Sequence, residues 1–96
     1  MANVKKNQKQ LSAELDKAKR KIKIARYYAH FKHPGEKRYQ ILDIGIFEKT
    51  GEICVIYKSL DTGMSWIRTI DNFLEKVEVG GKKVKRFELW KRSNLF

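Results

Sequence analysis

Tyr28, His30 and Lys32 alternate along one stretch of the chain, and Met64, Trp66 and Arg68 alternate along another. On extended backbone alternate residues share a face, so each triplet would set ring surface beside a cation. Nucleotide and single-strand binders combine rings that stack on bases with cations that meet phosphate. Arg68 is suited to a two-pronged contact with phosphate or a base edge, and Tyr57 and Lys58 can extend the set from a neighbouring run. The plainer account of the same residues is packing, because aromatic side chains dominate the cores of small strand-rich domains. On that account Tyr27, Phe31, Phe47, Phe73 and Phe87 are core, Ile67 points inward beside an outward Trp66, and Arg68 holds a carboxylate such as Glu75.

Catalysis finds little support. There is no glycine-rich phosphate loop, no Gly-x-Ser-x-Gly elbow and no pair of Cys-x-x-Cys ligands. His30 and His33 form His-x-x-His, but on a strand a spacing of three turns the two rings to opposite faces, so no metal site is expected. Cys54 is the single cysteine; it cannot form an intramolecular disulfide and reads as a buried structural thiol. We expect no catalytic residues, no metal and no cofactor.

Charge is the second signal. The 96 residues carry 22 Lys and Arg against 11 Asp and Glu, a formal +11. From Met1 to Arg26 nine bases stand against Glu14 and Asp16, a net +7, whereas the other 70 residues hold thirteen against nine, a net +4. Such an excess over a short arm exceeds what solubility needs and favours contacts with phosphates, for which Lys17, Lys19, Arg20, Lys21, Lys23 and Arg26 are the candidates. Leu11, Leu15, Ala18 and Ile22 recur at helical spacing, so a short amphipathic basic helix is expected from Leu11 to about Lys23, after ten residues without structure. Its apolar stripe is thin. A partner surface, or a second copy of the chain, would then decide whether it forms. The arm holds no Trp or Phe, which argues against a membrane surface, and no apolar run approaches the ~18 residues of a membrane span. With no secretory leader at Met1, a cytoplasmic protein is expected.

These groups must be positioned by strands. Past Arg26 the periodicity shifts towards two. Tyr27–Lys32 reads as a strand and His33–Lys37 as a loop. Arg38–Glu48 follows, with Leu42, Ile44 and Ile46 alternating, and Glu52–Lys58 is a third strand. Met64–Arg68 is a short strand, and Thr69 can cap one helical turn through Leu74. Gly80-Gly81 between two alternating runs, Glu75–Val79 and Lys82–Trp90, is the signature of a two-residue hairpin. The expected fold is mainly β: a small bent antiparallel barrel of five to six strands with one helical turn, spanning residues 27–90. Residues 1–26 form the basic arm before it, and residues 91–96 a fraying tail. Deleting residues 1–26 should then leave the barrel folded.

From Tyr28 to Leu89 the chain resembles a family of bacterial and phage domains of unknown function built on an SH3-like barrel. The resemblance rests on Tyr28-Ala29-His30-Phe31-Lys32, Tyr39-Gln40-Ile41-Leu42, Val55-Ile56-Tyr57 with Leu60, and Trp66-Ile67-Arg68. It continues through Phe73-Leu74-Glu75 and Val77-Glu78-Val79 into Gly81-Lys82-Lys83-Val84 and Arg86-Phe87-Glu88-Leu89. It implies a fold and no reaction. The loop His33–Arg38 is longer than the family's usual turn, and Thr69 stands where proline is common.

Together these features lead us to expect a non-enzymatic module that recognises nucleic acid, as RNA or single strands. The arm would supply the electrostatics, and the face carrying Tyr28, His30, Lys32, Tyr57, Trp66 and Arg68 the selectivity. Two other classes fit the same residues: a sequestering protein for a small signalling nucleotide, such as a phage-type sponge, and a module binding acidic or proline-rich peptides.

Overall fold

The computed structural model describes residues 6–92. In chain order its elements are α1 (Gln8–Lys21), β1 (Tyr27–His30), β2 (Tyr39–Phe47), β3 (Glu52–Ser59), β4 (Ser65–Thr69), α2 (Ile70–Leu74), β5 (Lys76–Val79), β6 (Lys82–Lys85) and β7 (Phe87–Leu89). The chain is mainly β, with seven strands in place of five or six. Five form one antiparallel sheet in the order β4-β3-β2-β1-β7, and β5-β6 is a separate ribbon. The run expected as one last strand is divided at Arg86, so its two halves serve different sheets. The expectations for residues 1–5 and for 93–96 of the tail lie outside the described residues.

The helix begins three residues before the expected Leu11. The reason is a capping box: Asn7 Oδ1 accepts the Gln10 N–H at 2.8 Å and Gln10 Oε1 accepts the Asn7 N–H at 2.9 Å, which satisfies two otherwise orphaned donors. Lys19, Arg20 and Lys21 occupy the last turn, where cations meet the negative end of the helix dipole.

Most consequential is where the apolar stripe goes. It packs on the chain's own sheet, against β2 and β3. Ala18 and Ile22 are buried with Tyr28, Ile41, Ile44, Ile53 and Val55, and Leu15 packs against the same cluster. The Lys23 N–H donates to Tyr28 Oη at 3.0 Å, tying the end of the helix to the first strand. The helix therefore does not await a partner for its apolar face. Residues 1–26 were expected to be dispensable for the fold; because Ala18 and Ile22 belong to the core, their deletion is instead expected to open it. Ala25 then turns the chain into β1 at φ 70°, a left-handed backbone that L residues rarely adopt.

In β2 the expected alternation of Leu42, Ile44 and Ile46 is broken. A bulge moves the register from Ile41 opposite Tyr57 to Asp43 opposite Ile56, so Ile41 and Ile44 both face inward although three apart. Leu42 is exposed in consequence, and Ile46, on the same face as Ile44 but near the end of the strand, is exposed as well. β3 is the central strand and carries Ile53, Val55 and Tyr57 into the core. Cys54 is buried, as its sequence context suggested.

β4 leads directly into α2, whose N-cap is the expected Thr69: its Oγ1 accepts the Asn72 N–H at 3.2 Å. Phe73 of α2 stacks on Phe87 of β7, ring centroids 4.2 Å apart and nearly parallel. β4 and β7 are the opposite edges of the sheet, so this stack is possible only because the sheet curls into a barrel-like shape around the core. Phe73 and Phe87 are core as expected, whereas Tyr27 and Phe31 are half-buried. Phe47 and Ile67, expected inside, are 52 and 68 % exposed. They fall on the outer face of the curled sheet, which nothing among the described residues covers.

Candidate functional site

The curl that brings α2 onto β7 also makes the site. The order β4-β3-β2-β1-β7 separates β1 from β4 by two strands, yet His30 of β1 and Arg68 of β4 both lie on the Phe87 ring. The His30 ring meets it edge-on at 5.0 Å between centroids, and Tyr39 and Tyr57 do so at 5.7 and 5.4 Å. The Arg68 guanidinium carbon lies over the ring, 5.4 Å from its centroid, within cation–π range.

Arg68 is held by neutral groups. Its Nε donates to Tyr57 Oη at 2.8 Å and its Nη1 donates to Asn72 Oδ1. Glu75, the carboxylate that the packing account assigned to it, binds Arg86 instead at 2.7 Å. Among the described residues the other ion pairs are Lys6–Glu14 and Arg38–Glu36. Arg68 is in none of them. Its charge is thus oriented but not neutralised.

Beside Arg68 a solvent-open groove of about 390 Å³ is lined by Arg38, Tyr39, Tyr57, Met64 and Trp66, with Asp61 and Thr62 from the β3–β4 turn. Trp66, 49 % exposed, is the largest ring surface in it. Ser59 shapes the turn: its Oγ accepts the Thr62 N–H at 3.2 Å, and its carbonyl accepts the Gly63 N–H at 2.8 Å.

The expected site residues separate accordingly. Trp66 and Arg68 share the groove. Tyr57 belongs there too, but as a buried support whose hydroxyl positions Arg68. Tyr28 is a core residue, its ring edge-on to Phe73 and its hydroxyl bonded to the Lys23 N–H; it offers no face to a ligand. Burial pushes the Tyr28 hydroxyl above its ordinary pKa, opposed by that hydrogen bond and by the Arg26 charge. Lys32 is not on the strand face, because β1 ends at His30 and the His33 N–H closes a turn on the His30 carbonyl at 2.8 Å. That turn also takes His33 off the strand on which the opposite-face geometry of His-x-x-His depends. His30 Nδ1 accepts the Lys32 N–H at 3.2 Å. Burial first, and then the positive charges of Arg68, Lys32, Arg86 and His33, hold the His30 imidazole below its usual pKa.

Lys17, Lys19, Arg20, Lys21, Lys23 and Arg26 are all exposed, and none is in an ion pair among the described residues. Arg38, Tyr39 and Asn72 join the site without having been expected there. Their membership depends on the curl of the sheet and on α2, and no local pattern announces it.

No helix among the described residues is long and apolar enough to cross a membrane. Searches of curated proteins and of solved structures return no significant match. A family model matches residues 26–89. The match begins at the residue where the arm was expected to end, so α1 lies outside it while sharing the same core. By that match the chain belongs to the family described as protein of unknown function (DUF1653).

Proposed function

We propose that the protein is a non-enzymatic module that binds single-stranded nucleic acid. The observation that carries this reading is Arg68: a guanidinium oriented by Tyr57 and Asn72, without a carboxylate, beside the exposed ring of Trp66 in an open groove. A ring and a cation without a carboxylate partner, side by side, suit one base and its phosphate. The cations on and after α1 add sequence-independent attraction to the backbone.

Fluorescence anisotropy with a labelled oligouridylate, titrated with salt, tests it. Replacing Lys19, Arg20, Lys21 and Lys23 by Gln should lower the slope of log K against log salt by about 3, at roughly 0.7 per phosphate contact of a single strand. Trp66→Ala should remove about 1–3 kcal/mol of stacking. Affinity that ignores both changes overturns the proposal.

A second reading is favoured by the groove's size. At about 390 Å³ it suits a single small ligand, so sequestration of a small nucleotide is the competing account. A discrete nucleotide retained through high salt and lost with Arg68→Ala would select it.

A further inference from the structure

The ribbon β5-β6 stands apart from the barrel. Of its eight residues only Val77 is half-buried, the rest exposed. It carries Lys76, Lys82, Lys83 and Lys85 against Glu78, a net +3. The register sets Glu78 opposite Lys83 but sets Lys76 directly opposite Lys85. Like charges facing across an antiparallel pair oppose pairing, and lysine is a poor strand former. Lysines on exposed edge strands also guard against edge-to-edge pairing, but the net charge of +3 and the facing Lys76–Lys85 pair suit a polyanion lying along the ribbon.

Beneath the ribbon is a cleft of about 250 Å³. Val79 and Val84 form one wall, and Ala29, Phe31 and Pro34 from β1 and the following loop form the other. The exposed Lys82 and Lys85 line it as well, together with His30 and Glu88. An apolar slot of this size flanked by lysines matches an unstacked base with a phosphate on either side. His30 connects the slot to the groove described above. It lines the cleft, and its ring meets Tyr39 of the groove edge-on at 6.4 Å.

We propose that the cleft between β1 and the β5-β6 ribbon is a second base-accepting subsite for single-stranded nucleic acid, with Lys82 and Lys85 taking the flanking phosphates. The inference rests on the nucleic-acid reading and extends it: a strand seated in the Trp66 groove continues past His30 into the cleft. Glu88 is the one acid lining the cleft, so the phosphates lie on the ribbon side.

The test uses the full chain and a labelled 12-nucleotide oligouridylate. K82Q/K85Q should weaken binding roughly tenfold near 0.1 M salt and lower the salt slope by about 1.4, the share of two phosphates, with a melting temperature that is not lowered, since the Lys76–Lys85 repulsion is relieved. Phe31→Ala should weaken binding without changing the slope. If K82Q/K85Q leaves affinity and slope unchanged while the α1 quadruple variant weakens binding, the ribbon is outside the interface and this inference falls alone. If the unaltered protein does not bind the oligonucleotide, the nucleic-acid reading falls and this one with it. Oligoglutamate bound as tightly as the oligonucleotide, and released by K82Q/K85Q, overturns the assignment of the cleft to a base.

Discussion

Replacing Ile22 by Ala isolates the claim that α1 belongs to the core. Ile22 is the helix C-cap residue and 0 % exposed. The substitution leaves the backbone bond from the Ile22 N–H to the Ala18 carbonyl, 2.9 Å long, untouched. It deletes three carbon atoms, about 2.4 kcal/mol of transfer free energy at ~0.8 kcal/mol per group. A cavity term adds to this, and buried Ile→Ala changes span about 2–5 kcal/mol. Ile22 sits at a helix end, where neighbours can relax inward, so about 3 kcal/mol is expected. Against a total stability on the order of 5–15 kcal/mol, that is a large fraction. Urea unfolding followed by far-UV circular dichroism measures it, with Lys19→Ala as the exposed control that should change stability by less than about 0.5 kcal/mol. A loss below about 1 kcal/mol for Ile22→Ala would mean that the helix is not packed on the sheet, and the argument that it shares the core would fail.

Three further outcomes are expected. Ala25→Gly should stabilise the fold by up to about 1 kcal/mol in the same assay, because relief of the left-handed backbone outweighs the extra freedom of glycine in the unfolded chain. Thr69→Ala should cost about 1 kcal/mol through loss of the cap on Asn72, and Thr69→Ser should recover most of it. The third concerns pH: the His30 pKa lies below its unfolded value, through burial first and then the surrounding positive charges, so the unfolded chain takes up its proton at the higher pH. Its contribution to stability is complete above the unfolded value near 6.5 and is lost as pH falls from there through the folded value. Urea midpoints between pH 7.5 and 5 should decline for the unaltered protein and less so for His30→Gln; equal declines refute the assignment.

Local chemistry makes much of the chain legible from its residues alone. The Gly80-Gly81 turn, the Thr69 cap, the single turn of α2 and most strand positions follow from residue types and spacings within a few positions of one another. The same holds for the exposed cations of the arm and for Trp66 and Arg68 sharing a groove, because alternation places them on one side of β4. What composition and periodicity leave undecided is everything set by contacts distant in sequence. The bulge at Leu42 puts Ile41 in its place on the inner face of β2, and Phe47 and Ile67 lie outside because the sheet curls the other way. Tyr28 and Trp66 are both amphipathic rings at alternating positions, yet Tyr28 is enclosed by α1 and Phe73 while Trp66 faces solvent. Periodicity assigns a residue to a face of its own strand. Only the curl of β4 round to β7, closed by the Phe73–Phe87 stack, determines which face is core, and the docking of α1 makes the basic arm part of the domain that it precedes.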